Sequence, residues 1–143
     1  MSKVLVIDDT PTILAFCSMH LVKHEVHTAG DWVEANRIAH AVKPDLIVLD
    51  EDLGAFQGSY LIRAFRMFFG PTLPLVMISS QDHREASKAA GANTFLSKTQ
   101  LPALPALVDR LLGCRKGGEC LIEVSAAGAV ACARADCGSG GAT

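Results

Sequence analysis

Acidic, hydroxyl and cationic side chains fall at the ends of short apolar runs in this sequence. Asp8-Asp9 follow Val4-Leu5-Val6-Ile7, and Asp50, with Glu51 and Asp52 behind it, follows Leu46-Ile47-Val48-Leu49. Ser79-Ser80 follow Leu75-Val76-Met77-Ile78, and Lys98 closes the stretch Gly91-Ala-Asn-Thr-Phe-Leu-Ser. Three carboxylates brought together repel and raise one another's pKa. A hard divalent cation removes that conflict, and Mg²⁺ suits a few carboxylates plus waters. A carboxylate can also act as a nucleophile toward phosphorus. An ammonium and a hydroxyl nearby would then bind the oxygens of the group being transferred.

These residues converge only if the runs are neighbouring strands that point the same way. The three runs are uninterrupted by polar residues, as parallel strands covered on both faces should be. Glu25–Thr28 and Thr94–Leu96 supply a weaker second and fifth strand. Helical patterns fill the gaps. The first helix is expected to start with Thr10 as N-cap and Pro11 at its first position, and to run to about Lys23. Asp31 with Glu34 reads as a capping box for the second helix. The third begins near Gly58-Ser59, with Met67-Phe68-Phe69 as core and helix end; the fourth spans Asp82 to Ala90 and closes at Gly91. The fifth starts between Pro102 and Pro105. Five βα units make a doubly wound parallel sheet with helices on both faces. In such a sheet ligands bind beyond the carboxyl ends of the strands, where these residues stand.

Composition agrees with one domain: 143 residues, of which 50% are hydrophobic, suffice for one core. A net charge of −2 offers no basic field for nucleic acid. No secretory signal or membrane-length apolar stretch is present, so the expectation is a cytoplasmic chain. The domain is expected over 1–112, followed by a Gly/Ala/Cys-rich tail over 113–143 that reads as flexible. Cys17 falls in a helical core pattern. Cys114, Cys120, Cys132 and Cys137 contain no C-x-x-C pair and read as free thiols rather than a zinc site. The five histidines read as surface residues.

Taken in order, Lys3-Val-Leu-Val-Ile-Asp-Asp9, Pro44-Asp-Leu-Ile-Val-Leu-Asp50, Met77-Ile-Ser-Ser80 and Gly91-Ala-Asn-Thr-Phe-Leu-Ser-Lys98 resemble the receiver domains of bacterial response regulators. Gly58, eight residues after Asp50, also fits that family. The resemblance supplies the strand order 2-1-3-4-5. It implies that Asp50 is the phosphoacceptor and that Asp8, Asp9, Asp50 and the backbone carbonyl of Asp52 hold Mg²⁺. It makes Ser79 the switch hydroxyl, Phe95 the switch aromatic and Lys98 the phosphate-pairing lysine, with Ser80 and Glu51 in secondary places. It further implies a signalling phosphoacceptor that catalyses only its own phosphorylation and dephosphorylation. The donor would be a sensor histidine kinase or a histidine phosphotransfer protein. A protein target would read the face made by the fourth helix, fifth strand and fifth helix.

The chain departs from the family pattern in three places. Thr99 follows Lys98 where the family has proline after a cis bond; a non-proline cis bond costs ~2.5–4 kcal/mol, so a trans Lys98–Thr99 bond is expected. Gly54 stands where a proline is usual. The segment from Ser79 to Gly91 is about one turn short. Glu51-Asp52 add negative charge beside the site and should alter metal affinity and the approach of water.

Two other functions compete with a stand-alone receiver. One is a receiver-fold scaffold without phosphorylation. The other is a phosphatase of the haloacid dehalogenase type, whose Asp-x-Asp motif Asp50-Glu51-Asp52 resembles. That family places this motif after its first strand, whereas here the acidic pair comes first.

Overall fold

The computed structural model describes residues 2–53, 56–114 and 122–132. β1 (Lys3–Ile7), α1 (Pro11–His20), β2 (Glu25–Ala29), α2 (Trp32–Val42) and β3 (Leu46–Asp50) come first. A two-residue pair, β4 (Asp52–Leu53) and β5 (Phe56–Gln57), then leads into α3 (Gly58–Phe69). β6 (Leu75–Ser79), α4 (Arg84–Ala90), β7 (Thr94–Ser97), a 3₁₀ segment (Lys98–Ala103) and α5 (Leu104–Gly113) complete the unit. β8 (Ile122–Val124) and β9 (Val130–Cys132) form an antiparallel hairpin beyond it.

The main sheet is parallel, in the order β2-β1-β3-β6-β7. Counting only its own strands this is 2-1-3-4-5, the order the resemblance implied. Alternation along the strands divides the core in two. Val4, Val6, Leu46, Val48, Val76, Ile78 and Leu96 face α1 and α5, where they meet Cys17, Leu104, Leu107, Val108 and Leu111. Leu5, Ile7, Ile47, Leu49, Leu75, Met77 and Phe95 face the other way, onto residues of α2, α3 and α4 such as Ile38, Leu61, Phe65 and Ala90. β1, β3 and β6 can be continuously apolar because both of their faces are covered.

Several local expectations shift. α1 ends at His20, short of Lys23, because Leu21 leaves helical backbone (φ −97°, ψ 45°) and turns into the core. Thr10 makes no side-chain cap; its own N–H donates to Asp8 Oδ1 at 2.8 Å. Asp31 does cap α2, accepting from the Glu34 N–H at 2.8 Å, while the Glu34 carboxylate reaches Arg37 at 3.2 Å. Met67 and Phe68 are 83% and 61% exposed, so they are not core: α3 turns Leu61, Ile62 and Phe65 inward and these two outward. His24 is not a plain surface residue either, its ring bonding Asp109 at 2.9 Å. α4 is only two turns long, in line with the short Ser79–Gly91 segment.

At the α3–α4 side Arg66 and buried Asn93 tie the chain together. Arg66 donates to the carbonyls of Gly91, Gly70 and Leu73 and, at 3.0 Å, to Asn93 Oδ1. The same Asn93 oxygen accepts the Leu75 N–H at 2.8 Å, which pins the start of β6 to the start of β7.

Part of the stretch read from sequence as a flexible tail, residues 122–132, takes up regular structure. That stretch is a hairpin with Ile122 buried in the core, because the edge of β7 gives its few large apolar residues a surface to cover. Cys17 and Cys114 are both buried. Gly54, Cys120 and Cys137 lie outside the described residues.

Candidate functional site

Each candidate residue sits at a strand's carboxyl end, and the register brings those ends level. Ile7 pairs with Leu49, Asp50 with Ile78, and Ser79 with Ser97, so Asp8, Asp50, Ser79 and Lys98 come out at one edge. Asp8 is fully buried, Asp50 is 1% exposed, and Asp9 lies open to solvent. One oxygen from each of Asp8, Asp9 and Asp50 falls within 4.8 Å of the others.

Asp8 uses one oxygen locally, accepting the Thr10 N–H in a turn that enters α1. Its Oδ2 makes no hydrogen bond, though the Lys98 ammonium stands 3.2 Å away. That ammonium also lies 3.4 Å from Asp50 Oδ1, bridging the two carboxylates. Asp50 Oδ1 accepts the Asp52 N–H at 3.2 Å. Burial, and then the Asp8 charge, push the Asp50 carboxyl up to about 7, against the pull of the Asp52 N–H and Lys98. Burial would lower the Lys98 pKa, but Asp50 and Asp8 outweigh it and hold the ammonium charged.

Ser79 is buried, and its Oγ accepts the Gln81 N–H at 3.1 Å, opening the loop into α4. Ser80 is exposed. Phe95 is only 5% exposed, with the Arg84 guanidinium 5.7 Å from its ring centre. No cis peptide bond occurs among the described residues, so Lys98–Thr99 is trans as expected, and Lys98 begins a 3₁₀ turn in which Ser97 Oγ accepts the Thr99 N–H. Asp52 is exposed and its residue pairs with Gln57 in the small β4–β5 ladder.

Gly58 acquires a physical reason. A Cβ there would stand 2.6 Å from the Asp50 carbonyl oxygen and 2.8 Å from Glu51 Cα. Only a residue without a side chain lets α3 start against the end of β3. Its N–H donates to the Glu51 carbonyl at 2.6 Å.

Glu51 is 3% exposed; Ser59 Oγ donates to its Oε1 at 3.4 Å, and its Oε2 has no hydrogen-bond partner. Burial raises its pKa, opposed by the charge of His83. His83, whose Nε2 is also buried without a hydrogen bond, was missed by sequence reasoning. Nothing in a lone histidine after Ser79-Ser80 announces that it lies near Glu51.

The sequence pattern of the family described as the response regulator receiver domain matches residues 4–110. The chain belongs to this family. As a receiver domain it is part of the response regulators of two-component systems, which are signalling proteins. Its sequence is 38% identical to the transcriptional regulatory protein PrrA of Mycobacterium leprae, over 77% of this chain and 49% of that one. It is 31% identical to the alkaline phosphatase synthesis transcriptional regulatory protein PhoP of Bacillus subtilis, over 70% of this chain and 43% of that one. The receiver chain thus spans about half the length of the curated relatives it matches. Among solved structures, the chemotaxis response regulator CheY4 of Vibrio cholerae superposes with a TM-score of 0.64 at 31% identity, covering 68% of this receiver and 87% of that chain. A Francisella receiver domain superposes at 0.72 with 24% identity, over 78% of this chain and 97% of that one, and shows the fold.

Proposed function

We propose that this receiver takes a phosphoryl group onto Asp50 from a phosphohistidine donor, in a Mg²⁺-dependent reaction, and thereby switches a protein-binding face. The observation that carries the reading is the convergence of Asp8, Asp9 and Asp50, two of them buried, with Lys98 bridging Asp8 and Asp50.

The donor set fits a hard cation. It is all oxygen, and burial together with the Asp8 charge already raises the Asp50 carboxyl, a cost a bound cation would relieve. Asp8, Asp9, Asp50 and the Asp52 backbone carbonyl are the ligands we assign to Mg²⁺. When bound, the ion would neutralise charge on the carboxylates and on the incoming phosphate.

An Asp50 carboxylate oxygen attacks phosphorus while the P–N bond of the donor breaks, its electron pair leaving with the imidazole nitrogen. Lys98 and the Ser79 hydroxyl are placed to bind phosphoryl oxygens, Lys98 by turning from the carboxylates it now bridges. Glu51 and Asp52 are assigned to adjusting metal affinity and the approach of the hydrolytic water.

The donor is a sensor histidine kinase or a histidine phosphotransfer protein. α1 offers it exposed Met19, and the turn after it exposed Val22. From PrrA and PhoP we carry over only the receiver's part, since their named transcriptional roles belong to longer chains, of which this one matches 49% and 43%. No described helix is long and apolar enough to cross a membrane.

Incubation with acetyl phosphate and Mg²⁺, read by intact mass, tests the reading. One phosphoryl adduct, lost with chelator and in Asp50→Asn, supports it. No adduct, together with failure of an active kinase to label the chain, favours a receiver fold used as a scaffold.

A further inference from the structure

β7 ends the parallel sheet, so its outer edge would leave backbone groups unpaired. The β8–β9 hairpin lies against that edge. The Ile122 N–H donates to the Asn93 carbonyl at 3.1 Å, and the Ile122 side chain, 1% exposed, joins the core beside Leu96 and Leu104. Lys88 of α4 reaches Glu123 at 3.5 Å, and Gln100 of the 3₁₀ segment donates to the Ser125 carbonyl at 2.7 Å. A cavity of about 140 Å³ remains beneath, lined by Arg84, Lys88, Thr94, Phe95, Ile122 and Glu123.

The hairpin's two polar anchors stand on elements that begin at the phosphorylation site. α4 is reached from Ser79, whose Oγ holds the Gln81 N–H, and the 3₁₀ segment starts at Lys98 itself. The ionic anchor is light. The Lys88 and Glu123 side chains are 34% and 64% exposed, and water screens such a pair strongly.

We infer that the hairpin is a latch, closed over the α4–β7–α5 face while Asp50 is unphosphorylated and released when it is phosphorylated. The inference rests on the phosphoacceptor reading above. In the resting chain the Lys98 ammonium bridges Asp8 and Asp50. A phosphoryl group on Asp50 presents new oxygens, draws that ammonium outward and shifts the turn that carries Gln100. Release uncovers Phe95, Thr94 and the apolar surface under Ile122 for a protein partner. Linkage makes the coupling reciprocal: whatever opens the latch must favour the phosphorylated state by the same factor.

The test is hydrogen–deuterium exchange on the full chain in Mg²⁺, with and without beryllofluoride as the phosphoryl mimic, for wild type, Ile122→Ser, Glu123→Lys and Glu123→Lys with Lys88→Glu. The latch predicts that beryllofluoride speeds exchange of the hairpin amides about tenfold or more while β1 and β3 stay protected. Ile122→Ser should open the hairpin without the mimic and bind beryllofluoride correspondingly tighter; Glu123→Lys should speed hairpin exchange by a smaller factor, and the charge-swapped double variant should return that exchange toward wild type. Beryllofluoride binding with no change in hairpin exchange overturns the latch alone. So does an Ile122→Ser protein whose hairpin opens but whose beryllofluoride affinity is unchanged. Failure of beryllofluoride to bind any of these proteins removes the phosphoacceptor reading and the latch with it.

Discussion

Replacing Asp50 by asparagine should stabilise the metal-free protein, and by more at alkaline than at acid pH. Burial and Asp8 lift the Asp50 carboxyl from its ordinary 3.8 to about 7 in the folded chain. A carboxyl whose folded pKa is raised takes up protons on folding. Its ionisation therefore costs stability, starting as pH climbs past the unfolded value and complete above the folded one. A shift of about three units at ~1.4 kcal/mol each sets a ceiling of roughly 4 kcal/mol. Effective dielectric constants near 20 and the neighbouring Lys98 reduce this, and about 2 kcal/mol is the expected size. Urea unfolding in chelator at pH 5, 6, 7 and 8 reads it directly. The gain from Asp50→Asn should grow by at least about 1 kcal/mol between pH 5 and 8 and level off above 7. Mg²⁺ at about 100 times its dissociation constant should then stabilise wild type by roughly 2.7 kcal/mol and the variant by much less. A gain that does not vary with pH, or a wild type that becomes the more stable partner at pH 8, would refute the electrostatic account.

Three further substitutions probe how the site is held. Gly58→Ala should cost about 1–3 kcal/mol by urea midpoint and slow Asp50 phosphorylation, since its Cβ meets the Asp50 carbonyl oxygen at 2.6 Å. Lys98→Met leaves two buried carboxylates without their shared cation; about 1–3 kcal/mol should be lost in chelator, less than for a fully buried pair, and the phosphorylation rate should fall at least about tenfold. Asn93→Leu strands the Leu75 N–H and one Arg66 contact, for an expected loss of about 1–3 kcal/mol in thermal or urea unfolding with the Asp50 chemistry retained.

The parallel strands were legible because burial on both faces demands the unbroken apolar runs at Val4–Ile7, Leu46–Leu49 and Leu75–Ile78. Asp31 was legible as a cap because capping is local chemistry. The site's acidic triad and Lys98 were legible only as an ordered set, since the tertiary register that levels Asp8, Asp50 and Ser79 is set by strand pairing and cannot be read from any one segment. What the sequence concealed depends on long-range partners. Ile122 is buried by β7, not by its own neighbours. His83 approaches Glu51 across two loops. Met67 and Phe68 look like core until the direction of α3 is fixed by Leu61, Ile62 and Phe65. Thr10 forms no side-chain cap, and its own N–H is held by Asp8 Oδ1 in the turn that enters α1.

The central claim is that Asp50 carries the phosphoryl group. Reduction of the acetyl phosphate-treated protein with borohydride converts an aspartyl phosphate to homoserine, which peptide mass mapping then locates. The account predicts homoserine at position 50, formed only with Mg²⁺ and absent from untreated protein. Phosphate on another residue, or an unmodified Asp50 in a protein that binds Mg²⁺, would contradict it.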